Sequence, residues 1–95
     1  GRRMIDGEFE SFVEKFNENK IENEKFVETD DYEFEYSHNE ICEAQENFGY
    51  KVREFLKEKA PGKYCVSVDY DWCVRVVSIE YAREHMLSLE ECLVR

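Results

Sequence analysis

Between residues 38 and 79 the chain changes its hydrophobic period once, and this most constrains the fold. Apolar residues Ile41, Ala44, Phe48, Val52, Phe55 and Leu56 recur at helical spacing. Ala60-Pro61-Gly62 follows, and Pro cannot continue a helix. From Tyr64 to Ile79 the pattern becomes that of strands, with Val66, Val68, Val74, Val76, Val77 and Ile79 around Asp69-Tyr70-Asp71-Trp72. A long amphipathic helix over 38–60, opened by the Ser37-His38-Asn39-Glu40 capping box, therefore leads into a β-hairpin. Neither element can bury its apolar side alone, so each must pack on the other.

The hairpin register can be derived. If Asp69 pairs with Cys73, then Val66, Val68, Val74 and Val76 share a face, and Cys65 lies opposite Val77. A Cys65–Cys73 disulfide is excluded in that register. Gly49, inside the helix, costs about 1 kcal/mol relative to Ala and suggests close approach of another element.

Upstream, Phe9, Phe12, Val13 and Phe16 form one helical stripe, with Asp6 as N-cap, Glu8 and Glu10 favoured by the helix dipole, and an end at Asn17-Glu18-Asn19. Asp31 to Tyr36 alternates strictly, with Tyr32, Phe34 and Tyr36 on one face and Asp31, Glu33 and Glu35 on the other. Ile21 to Glu28 is a weaker strand, and Thr29-Asp30-Asp31 is the turn between them. Downstream, Ala82, Met86, Leu89 and Leu93 keep helical spacing. Ser88-Leu89-Glu90-Glu91 is a second capping box, so the last helix is expected to break near Met86 and restart. The expected fold is a two-layer α+β domain of order α-β-β-α-β-β-α, with an antiparallel sheet from two hairpins and helices packed on one face.

Gly1, Arg2 and Arg3 precede Met4 and read as a cloning remnant, which leaves a single domain over residues 4–95; a fragment of a longer chain is the alternative. No apolar run reaches the roughly 18 residues needed to span a bilayer. No charged-then-apolar leader is seen, so the expected compartment is the cytoplasm, with reduced thiols. The four cysteines, Cys42, Cys65, Cys73 and Cys92, contain no C-x-x-C pair and read as small buried hydrophobes. His38 and Cys42 are one helical turn apart, but a metal would need a second pair, and none is expected.

Charge carries the functional reading. The chain of 95 residues has 23 Asp+Glu against 13 Lys+Arg, a formal charge of -10. With 15% aromatic residues it is too apolar for a disordered acidic tail. Residues 1–48 hold 15 acids and 5 bases, while residues 49–95 hold 8 of each. All of the imbalance lies in the first half. Glu40, Glu43 and Glu46 lie near the start of the long helix, and Lys51, Arg53, Lys57 and Lys59 toward its end, as the macrodipole favours. What remains is Glu22, Glu24, Glu28, Asp30, Asp31, Glu33 and Glu35, opposed within that stretch only by Lys25.

Carboxylates on one strand face repeat about every 6.6–6.8 Å, on the scale of successive phosphates along a nucleic-acid strand. These seven residues are the candidate partner-binding site, with Tyr32, Tyr36 and Trp72 as added contact area, although an alternating aromatic face is more often core. The same acids would also serve as a solvated face that blocks edge pairing. Such a charge disfavours nucleic acid or an anionic membrane as direct ligand and favours a basic, nucleic-acid-binding protein partner.

The chain lacks G-x-S-x-G, P-loop, H-E-x-x-H and Gly-rich phosphate motifs. Asp69 and Asp71 read as turn residues and His85 as a surface or half-buried helix residue. No enzyme activity and no cofactor are therefore expected. The expected function is inhibition of a nuclease, a restriction or CRISPR effector, or a toxin, by analogy of composition with nucleic-acid mimics and toxin-immunity proteins of phages and mobile elements. The alternatives are a small acidic dimeric chaperone, which would be a homodimer with an apolar binding surface, and an accessory interaction domain.

Overall fold

The structure, a computed structural model, describes the backbone of residues 2–27, 38–68 and 73–95, with side chains within 7–27, 43–68 and 73–95. Helix α1 spans Arg2–Asn17 and turns the Phe stripe inward. Phe12 is fully buried, and its ring meets those of Phe26 and Phe55 edge-on, each with centroids 5.6 Å away. Such T-shaped pairs add to what the burial of area alone contributes. The helix starts before Asp6, so Asp6 is not its N-cap. Arg, Met and Ile carry small helix penalties and no Pro precedes Asp6, so nothing stops the helix there. Its C-terminus closes as a Schellman motif: Asn19 has φ 58°, its N–H donates to Phe16 O (3.1 Å), and the Lys20 N–H donates to Lys15 O (2.9 Å).

Helix α2 spans His38–Lys59; the Ser37 side of its capping box lies outside the described residues. Its buried line is Gln45, Phe48, Val52 and Leu56, with Phe55 half-buried beside it. Ala60 continues the bonding, donating to Leu56 O (2.8 Å), and Gly62 takes φ 77° to turn the chain. Gly49 does not mark a close approach: among the described residues nothing lies within 4 Å of where its Cβ would sit. Gly49→Ala is therefore expected to stabilise the protein by about 1 kcal/mol through helix propensity and a less flexible unfolded chain. Thermal unfolding checks this, and a lowered midpoint would show that the space is not open.

Strands β1 (Asn23–Val27), β2 (Tyr64–Val68) and β3 (Val74–Ser78) form an antiparallel sheet of order β1-β3-β2. The β2–β3 register is the derived one: Val66 faces Val76, Val68 faces Val74, and Cys65 faces Val77. No disulfide joins Cys65, Cys73 or Cys92. The strand expected beside β1, Asp31–Tyr36, lies outside the described residues. The partner that the structure gives β1 is β3, with paired residues 47 to 54 positions apart in sequence. Their register shifts between Lys25 and Val27, and both Phe26 and Val27 are buried, as an added residue in one strand permits.

The helices do not all pack on one face. Val66, Val74 and Val76 meet α1 and α2 in the main core. Cys65 and Val77 alternate to the other side, where Ala82, Tyr81, Leu87, Leu89, Cys92 and Leu93 cover them. These residues belong to α3 (Ile79–Glu84), α4 (Leu89–Cys92) and their flanks. The helical period of the C-terminal segment was legible, but not the face it covers. Ser78 caps α3 through its hydroxyl, which accepts from Tyr81 N–H (3.2 Å). Ser88 stands at the N-cap of α4 but makes no side-chain capping bond.

Between the two helices the chain breaks at Met86, as expected. Met86 has φ 56° and is 91% exposed, and Leu87 N–H donates back to Ala82 O (2.9 Å), a second Schellman closure. A left-handed conformation costs a non-Gly residue about 1–2 kcal/mol, and an exposed methionine regains little of that by packing. Met86→Gly is expected to raise stability by about 0.5–1 kcal/mol, measured by urea denaturation. An unchanged midpoint would mean that Met86 carries no strain.

Candidate acidic surface

Of the seven acids singled out in sequence, the structure describes two. Glu22 is exposed just beyond the α1 closure. Glu24 is half-buried on β1 and receives the Lys15 ammonium at 2.9 Å. Lys15 also stands 5.3 Å from the centre of the Phe26 ring. Glu24 thus faces α1 and ties strand to helix, with its charge offset locally. The cation is supplied by α1, from outside the acidic stretch, and sequence distance hid it. At 35% and 30% side-chain exposure, this pair contributes no more than about 1 kcal/mol. Glu28, Asp30, Asp31, Glu33 and Glu35 lie outside the described residues, as do Tyr32, Tyr36 and Trp72.

The structure adds acids that sequence reasoning had not grouped. Glu10, Glu14 and Glu18 recur at i, i+4 and i+8 on α1 and its end, and all three are exposed, opposite the Phe stripe. At 1.5 Å per residue they span about 12 Å. Among the described residues no cation stands within ion-pair distance of Glu10 or Glu14, and Glu18 has only an exposed 3.5 Å contact with Lys20. This line does not help the helix. Like charges at i, i+4 destabilise it by about 0.2–0.5 kcal/mol per pair, and Glu18 sits at the negative end of the dipole. The spacing is visible in the sequence, where Glu10 reads only as a partner of the helix dipole.

The remaining chemistry-bearing residues give no assembled centre. Among the described residues no three His, Cys, Asp or Glu side chains are grouped to hold a metal ion. The side chains of His38 and Cys42, and residues Asp69 to Trp72, lie outside the described set. His85 is exposed, stacks on Tyr81 with centroids 3.9 Å apart, and places Nδ1 3.0 Å from Tyr81 O. An open groove of about 550 Å³ between α1 and α2 is lined by Phe9, Tyr50, Lys51, Glu54, Phe55 and Glu58. Its polar residues are charges of both signs on the outer face of α2. Among the described residues no helix is long and apolar enough to cross a membrane.

Fold and surface together define a small acidic α+β domain with a three-stranded antiparallel sheet and helices on both of its faces. Comparison with protein families, with characterised proteins and with solved structures finds no match for the chain.

Proposed function

We propose that the protein is a stoichiometric inhibitor. It binds a basic nucleic-acid-handling protein, such as a nuclease, a restriction or CRISPR effector, or a toxin, and fills its groove with an acidic surface in place of nucleic acid. The observation that carries this reading is the solvent-facing line Glu10, Glu14 and Glu18, acids that cost the helix stability and that, among the described residues, are offset only by the exposed Glu18–Lys20 contact. Glu22 continues the acidity toward the sequence cluster Glu28, Asp30, Asp31, Glu33 and Glu35, where the alternation of residues 31–36 groups Glu33 with Glu35. A surface of one sign steers an oppositely charged partner and speeds encounter, and it does so most at low salt.

The test is affinity capture from cell extracts at low salt, followed by elution with a single-stranded or duplex oligonucleotide. Nucleic-acid-binding proteins released by the oligonucleotide are the expected result. Capture of unfolded clients that the oligonucleotide does not release, by a protein dimeric in light scattering, would overturn it in favour of a chaperone.

A further inference from the structure

The second hydrophobic cluster contains two thiols that the fold brings together from opposite ends of the C-terminal half. Cys65 is buried on β2, and Cys92 ends α4 and packs against the same cluster. The residue after Cys92, Leu93, forms an antiparallel bridge with Cys65. Bridged residues have Cα atoms about 4.5–5.5 Å apart; Cys92 immediately precedes the bridged Leu93 and packs into the same cluster as Cys65, the kind of neighbourhood a disulfide needs. Val94 locks the register, donating to Tyr64 O (3.0 Å) and accepting from Gly62 N–H (2.7 Å). By contrast, Cys73 lies past the far end of β2, five residues beyond Val68.

We propose that Cys65 and Cys92 are a redox pair whose disulfide fastens the C-terminal segment to the outer edge of β2. The co-reactant is a low-molecular-weight disulfide. The half-buried Cys92, as thiolate, attacks one of its sulfurs, forming a mixed disulfide and releasing one thiol. Cys65 then loses its proton and attacks Cys92 Sγ, releasing the second thiol. Two cysteine sulfurs are oxidised and the two sulfurs of the co-reactant are reduced, with both protons leaving on the released thiols. The order follows accessibility. Burial pushes the Cys65 thiol up, the neighbouring Cys92 adds to this, and Arg53 opposes it, so Cys65 is the poorer first nucleophile. The bond would close the stretch between β2 and α4 and hold Leu93 and Val94 on the strand edge.

The test is incubation of the folded chain with oxidised glutathione, followed by non-reducing peptide mapping and thermal unfolding. The expected result is a Cys65–Cys92 linked peptide and a midpoint raised by at least about 5 °C, since restraining the unfolded chain raises the transition. Cys92→Ser is partly exposed and should fold, and it should lose both the link and the shift. A Cys42→Ser/Cys73→Ser variant should keep both. Stable glutathione adducts at Cys92 without the link, or a link through Cys42 or Cys73, would overturn the proposal.

Discussion

Phe12→Ala will cost about 3–5 kcal/mol of unfolding free energy, the range for removing a buried aromatic ring. Phe12 is fully buried and joins three elements at once: its ring meets Phe26 of β1, Phe55 of α2, and Phe9 and Phe16 of its own helix. Helix α1 cannot collapse into the space, because Asn19 and the Lys15–Glu24 pair fix where it ends and where it meets β1. Against the about 5–15 kcal/mol that holds a domain together, the loss would leave much of the chain unfolded at 37 °C. Urea denaturation with an unchanged slope should report it. A loss near 1 kcal/mol would mean that α1 packs loosely and that the aromatic cluster does not hold it in place.

Charge reversal at Glu10, Glu14 and Glu18 to Lys should have the largest effect on function. Six units of charge change on one face about 12 Å long, so steering by the surface is reversed. Binding to the captured partner should weaken at least about 100-fold, mostly through slower association. The fold should persist, because these side chains point to solvent and the reversed line repels itself no more than the original. Glu33→Lys with Glu35→Lys should act in the same direction. Glu24→Gln should instead lower stability slightly and leave binding nearly unchanged, because Glu24 is committed to Lys15. Surface plasmon resonance on the purified pair separates the two rates. Unaltered association after the triple reversal would remove α1 from the binding surface.

These predictions also show which parts of the molecule local sequence carries. The β2–β3 register was legible because a short reversal leaves few ways to place Val66, Val68, Val74 and Val76 on one face. The end of α1 at Asn19 and the break at Met86 were legible because helix termination is local chemistry. The pairing of β1 with β3 was not, since alternation tells a strand which sides it has but not which distant strand it meets. Nor was the second packed face, which depends on where α3 and α4 return. In the candidate site, Glu24 looked like its neighbours until α1 brought Lys15 to it. Glu10, Glu14 and Glu18 were within reach of sequence, because i, i+4 spacing alone places them on one side of a helix.

The claim that an acidic face stands in for nucleic acid is tested most directly by competition. A fluorescent oligonucleotide bound to the captured partner is titrated with this protein at two salt concentrations, and anisotropy is followed. Full displacement at one equivalent, with apparent affinity falling as salt rises through about 0.1 M, where the screening length is about 10 Å, is the predicted result. A stable ternary complex, or displacement that salt does not weaken, would contradict it.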